Sequence, residues 1–105
     1  MFIKGTMKDG GIDVTLRNNP GHILAPDDVD KVRDFRFEKL DPDDFKEYYH
    51  ALLKQRWVTR KEEFIELAKR GKSADIMLKC TCSKCVPECH ANLAANFLNK
   101  LISKI

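Results

Sequence analysis

All four cysteines of this 105-residue chain and one of its three histidines lie in one short stretch, KCTCSKCVPECH. The five residues are Cys80, Cys82, Cys85, Cys89 and His90. Thiolates and imidazole are the ligands that zinc prefers, and four of them complete a tetrahedral site. The spacing of Cys82 and Cys85 is that of a zinc knuckle, and His90 together with Cys80 or Cys89 could complete the set of four. Zinc binding is therefore one interpretation of this stretch.

Two other kinds of chemistry fit parts of the same stretch. Cys82 and Cys85 have the spacing of a redox dithiol, although such a pair usually begins a helix and here VPECH follows it. Cys89 and His90 fall in the first turn of a predicted helix, where backbone N–H groups can hold a phosphate or carboxylate. There Cys89 could act as a nucleophile and His90 as an acid or base. The structural alternative is a buried thiol beside a satisfied polar cap.

The elements around this stretch predict an α/β fold. IDVTL alternates apolar and polar residues and predicts a strand over 12–16, and the apolar run IML predicts a strand before the cysteines. Three helices are predicted between these two strands, and LAANFLNKLI predicts a fourth. The order β-β-α-α-α-β-α predicts a small Rossmann-like sandwich with a short, largely parallel sheet, in one domain spanning 1–105.

Ligands in such folds bind beyond the carboxyl ends of the strands. The second strand and the loop after it bring four further candidates to that edge of the sheet. They are Asp13, Arg17, Asn18 and His22. Together with the Cys/His stretch, they predict a crevice for a nucleotide-like or other anionic small molecule. The alternative for Asp13 and Arg17 is a surface ion pair, and for His22 an exposed loop position.

Helix boundaries are predicted from capping patterns. PDDVDKVRDF predicts a helix over 26–35. Asp41 followed by Pro42 predicts the start of the second helix, with the apolar stripe Phe45, Tyr48, Tyr49, Leu52 and Leu53. A capping box of Thr59 and Glu62 predicts the start of the third helix, and Gly71 its end.

Composition limits the classes of partner. The net charge is only +3 in a chain that is one-third charged, which disfavours a dedicated nucleic-acid binder. No apolar run is long enough for a membrane span, and MFIKGTMKDG lacks the apolar region of a secretory signal. We therefore expect a cytoplasmic protein, in whose reducing surroundings clustered cysteines favour metal binding or catalysis over disulfides.

Three stretches carry a resemblance: IDVTLRNNPGHILAP, LDPDDFKEYYHALLKQRW and IMLKCTCSKCVPECHANLAANFL. In these the chain resembles the small α/β proteins of domain-of-unknown-function family 488, especially its short phage and prokaryotic members. The resemblance implies that Cys80, Cys82, Cys89 and His90 are the family's loop cysteines and Cys-His pair, and it suggests a phosphorylated ligand. Ala91 replaces the arginine or glycine usual in the family, and Cys85 is additional.

Three functions are consistent with the sequence. The first is an anionic small-molecule binder, with Cys89 and His90 as possible catalytic groups. The second is a zinc-stabilised domain that acts through a protein or nucleic-acid surface. The third is a small phage-type interaction or inhibitor protein without site chemistry.

Overall fold

A computed structural model describes residues 1–5, 11–15, 19, 21–37, 39–79 and 89–104. Its elements follow the order expected from the sequence, β-β-α-α-α-β-α. The strands are β1 (Phe2–Gly5), β2 (Ile12–Asp13) and β3 (Ile76–Lys79). The helices are α1 (Val29–Arg36), α2 (Pro42–Thr59), α3 (Lys61–Ser73) and α4 (His90–Ile102). The mixed α/β class is confirmed.

The sheet is parallel, with β3 between β1 and β2. Phe2 pairs with Ile76 at one edge, and Ile12 pairs with Leu78 at the other. The predicted second strand is shortened to Ile12–Asp13, although the Val14 N–H still donates to the Lys79 carbonyl at 3.2 Å. The parallel sheet predicted from the alternation of strands and helices is therefore confirmed.

Capping explains where two of the helices start. The Asp28 carboxylate accepts the Lys31 N–H, so α1 begins three residues later than predicted. The Asp41 carboxylate accepts the Asp43 N–H at 2.8 Å, and α2 begins at Pro42 as predicted.

The capping box predicted for α3 is wrong. Thr59 is the last residue of α2, and its hydroxyl donates to the Gln55 carbonyl at 3.3 Å instead of capping α3. Arg60 occupies the cap position and pairs with Glu63, with two nitrogen–oxygen distances of 2.5 and 2.9 Å. Thr59 is still helical in α2, so the residue that precedes α3 is Arg60 and not Thr59.

Gly71 does not end α3, as the sequence suggested, because the helix continues to Ser73. A Cβ atom at Gly71 would overlap the ring of Phe2 in β1. This glycine therefore lets α3 and β1 approach closely. From the sequence alone, a glycine in this packing role looks the same as a glycine that ends a helix.

The core lies where α4 packs on β1 and β3, with α2 and α3 packed against α4. Trp57, Phe64 and Phe97 contact one another edge to face, with centroids 5.5 to 6.4 Å apart. Four of the five residues in the predicted α2 stripe are buried, and Tyr48 is half-buried. Among the helices in the described ranges, none is both long and apolar enough to cross a membrane.

Candidate functional site

His90, the first residue of α4, is a buried histidine that joins this helix to the end of β2. Its Nε2 lies 3.0 Å from the Val14 carbonyl oxygen, and 5% of the residue is exposed. Its ring also meets the Tyr49 ring edge to face at 5.9 Å. This arrangement fixes the orientation of the imidazole and shields it from solvent.

Cys89 is the N-cap residue of α4 and is fully buried. Its thiol makes no capping hydrogen bond to the helix, so Cys89 corresponds to the buried thiol of the structural alternative. A buried thiol is a poor nucleophile toward a dissolved substrate unless its cover moves. The catalytic assignment of Cys89 and His90 stays a prediction.

Asp13 and Thr15 form a local hydrogen-bonded turn at the carboxyl end of β2. Asp13 Oδ1 accepts the Thr15 N–H at 2.9 Å and the Thr15 hydroxyl at 2.7 Å. The Asn19 side chain donates to the Asp13 carbonyl at 2.9 Å. The Asp13 carboxylate therefore stabilises this turn.

His22 lies in the loop that follows this turn. Its Nδ1 accepts the Leu24 N–H at 3.1 Å. Burial, followed by the nearby Arg60 and Arg56 guanidinium groups, lowers the pKa of His22 below its ordinary value, while Glu63 and Asp13 oppose the change. An accepting Nδ1 and a lowered pKa both indicate a neutral ring at pH 7.

Two side chains of α2 fasten this loop to the helices. Arg56 Nη1 lies 3.0, 2.8 and 2.5 Å from the carbonyl oxygens of His22, Ile23 and Ala25. The Tyr49 hydroxyl donates to the Leu24 carbonyl. Because Tyr49 also contacts His90, it links the loop to the start of α4.

Of the described candidates, Asp13 and His90 lie at the carboxyl end of β2, Cys89 adjoins His90, and His22 lies in the loop that follows β2. Their grouping into one ligand site stays a prediction. The other candidates, Arg17, Asn18, Cys80, Cys82 and Cys85, lie outside the described residues. Over the ranges that the structure describes, no group of three or more histidine, cysteine or acidic residues is placed to hold a metal ion. The zinc prediction therefore rests on cysteines outside those ranges.

A cavity of about 450 Å³ lies beside His22 and α3. Its lining mixes both signs of charge, and one of its arginines is already paired with Glu63. The charged and polar lining residues are His22, Arg60, Glu62, Glu63, Glu66 and Arg70. This balance offers little net attraction for an anion.

A groove of about 370 Å³ between α2 and α4 has a different character. We call it the basic groove. Each helix contributes three polar residues spaced by four positions, which places them on one helix face. The α2 row is Lys46, His50 and Lys54, the α4 row is Asn92, Asn96 and Lys100, and Leu93 and Phe97 add apolar surface.

The described lining of the basic groove contains three lysines and no carboxylate. Lys46, Lys54 and Lys100 are exposed, and the ion pairs found in the described parts of the chain include none of them. Burial first, and then Lys46, Lys100 and Lys54, lowers the pKa of the half-buried His50 below its ordinary value. The positive charges of all three lysines therefore act on the His50 ring.

Sequence reasoning missed this groove. The signal was present as a lysine, a histidine and a lysine at intervals of four in the second predicted helix, and two asparagines and a lysine at the same interval in the last. Each row alone is typical of a solvated helix face. Only the packing of α2 against α4 brings the two rows together.

Compared with known protein families, curated proteins and solved structures, the chain matches none. The resemblance to domain-of-unknown-function family 488 therefore stays a prediction, and the candidate site has to be judged from its own geometry.

Proposed function

We propose that this protein binds a phosphate-bearing small molecule in the basic groove between α2 and α4. The observation that carries the proposal is the meeting of three lysines at His50, with no carboxylate of the described residues paired to any of them. An anion that enters the groove would replace water around these ammonium groups and form charge-assisted hydrogen bonds.

The remaining lining suits a ligand with an organic part. Leu93 and Phe97 offer apolar surface, and the Asn96 amide can both donate and accept hydrogen bonds. Ligand sites commonly combine apolar walls with a few polar groups that fix orientation. The basic groove has this composition, and its volume of about 370 Å³ suits a ligand of modest size.

The proposed ligand is of the anionic class predicted from the sequence, but the proposed binding site lies in a different part of the fold. The predicted crevice at the carboxyl end of β2 contains Cys89 and His90, which are buried, and Asp13, whose carboxylate shapes a turn. The basic groove has its cationic groups exposed to solvent. Catalysis by Cys89 or His90 is a separate proposal that anion binding in the groove does not require.

Zinc binding by the cysteine stretch is a second proposal. It is supported by the close spacing of four cysteines and His90 in the sequence. A structural zinc site contributes directly to folding. One zinc per chain in protein purified without added metal, with the thiols protected, would support it, whereas a metal-free protein with four reactive thiols would eliminate it.

Several finer predictions from the sequence also stay proposals. They are the Rossmann-like sandwich, the cytoplasmic location, and the phage-type interaction protein without site chemistry. The last of these competes directly with the basic groove, because it requires no small-molecule ligand.

Calorimetric titration with inorganic phosphate tests the proposed function. We expect saturable binding that weakens about tenfold in Lys54→Ala, because a charge-assisted hydrogen bond contributes about 1.5 kcal/mol or more. Lys69→Ala is the matched control, since Lys69 is an exposed helical lysine on α3, outside the groove, and the change in net charge is the same. Equal weakening by both substitutions would indicate a general charge effect and would contradict the proposal.

A further inference from the structure

His50 is the middle residue of the α2 row that lines the basic groove. Lys46 precedes it by one helical turn on α2, Lys54 follows it by one turn, and Lys100 faces it from α4. These three lysines are the charged groups that act on the ring, and no carboxylate among the described residues acts on it. The imidazole is half-buried, whereas the lysines around it are exposed.

This arrangement penalises a proton on His50 in the unliganded protein. A fourth positive charge would be placed among three others and partly removed from water. The pKa of His50 is accordingly lowered from its ordinary value of 6.5, first by burial and then by the lysines. A dianion in the groove would offset most of the positive charge of the three lysines and would favour the protonated ring.

Resting on the proposed function, we propose that the basic groove binds a dianionic phosphate monoester together with one proton, which His50 takes up from solvent. The protonated ring then donates a hydrogen bond to the phosphate, and the lysines supply the remaining charge. A dianion gains about twice the Coulomb attraction of a monoanion in the same position. The groove therefore selects phosphate monoesters over phosphodiesters, whose phosphate carries one charge.

Sulfate is the test ligand because its own protonation does not change over the pH range in which His50 titrates. It stays a dianion over about pH 5 to 8, the range in which a histidine titrates. The dissociation constant of sulfate would be measured by calorimetry across this range for the wild type and for His50→Gln. The heat would be compared in two buffers of different ionisation enthalpy, which reports proton uptake.

We expect sulfate to bind more tightly as pH falls from the pKa of the bound state to that of the free state. The gain approaches about tenfold per pH unit within that window and ends below it, where His50 is protonated in both states. His50→Gln, which still donates a hydrogen bond, should bind sulfate with little dependence on pH. At pH 7.5 the wild type should bind methyl phosphate about tenfold more tightly than dimethyl phosphate.

The possible failures are distinguishable. Sulfate binding that is independent of pH in the wild type, or equally dependent on pH in His50→Gln, overturns the proton coupling and leaves the proposed function standing. Equal affinity for methyl and dimethyl phosphate overturns the selection for monoesters. Absence of sulfate binding at every pH overturns both this inference and the proposed function.

Discussion

Replacement of His90 by alanine should destabilise the fold far more than the same replacement of His50. Both histidines lie in helices, so the change in side chain is identical at the two positions. His90 is 5% exposed and lies 3.0 Å from the Val14 carbonyl oxygen, whereas His50 is half-buried in a groove lined by lysines. The pair therefore compares a buried structural histidine with a groove histidine.

The magnitude follows from the contacts of His90. Loss of the ring leaves the Val14 carbonyl without this partner, which costs about 1–3 kcal/mol when the group is buried. Loss of the edge contact with Tyr49 removes about 0.5–1.5 kcal/mol more. We expect a loss of about 3 kcal/mol for His90→Ala and under about 1 kcal/mol for His50→Ala.

Urea denaturation followed by circular dichroism measures both free energies of unfolding. A loss of about 3 kcal/mol would be a large part of the stability of a domain of this kind, typically 5–15 kcal/mol. Two losses that agree within about 0.5 kcal/mol would refute the reasoning, because His90 would then not be the buried link between α4 and β2.

Three further substitutions test the packing that positions these sites, each by the free energy of unfolding. Arg56→Ala should lower the free energy of unfolding by about 2 kcal/mol, because Arg56 Nη1 lies within hydrogen-bonding distance of three loop carbonyl oxygens. The control Arg36→Ala, at an exposed position of α1, should lower it by under about 0.5 kcal/mol. Gly71→Ala should destabilise by about 1–3 kcal/mol despite the better helix propensity of alanine, and Phe2→Leu should make that substitution less costly. Asn99→Ala should cost about 1–2 kcal/mol, since the Asn99 amide bonds both the N–H and the carbonyl of Phe2 at the edge of β1, and an unchanged stability would contradict this role.

The sequence was most informative where local patterns and tertiary packing agree. Asp41 before Pro42 predicted the start of α2, and the apolar stripe beginning at Phe45 predicted its buried face, because both depend on the helix itself. The order of elements and the parallel pairing of β3 followed from the alternation of strands and helices.

The sequence was least informative where one residue type fits two structural roles. Thr59 and Gly71 fit a helix start and a helix stop, but the hydroxyl of Thr59 bonds backward into α2 and Gly71 admits the Phe2 ring. His90 was considered as a catalytic group, and its proximity to Val14 depends on where the start of α4 lies relative to the end of β2. The groove at His50 was missed because it requires two distant helices to lie side by side.

Chemical-shift mapping of the backbone amides during a titration with inorganic phosphate tests the central claim most directly. We expect saturable shifts that concentrate in the basic groove, at 46–54 of α2 and 92–100 of α4. Saturable shifts that concentrate instead at 13–22 and at Cys89 and His90 would place the anion at the carboxyl end of β2 and contradict the groove. Shifts that never saturate would contradict specific phosphate binding altogether.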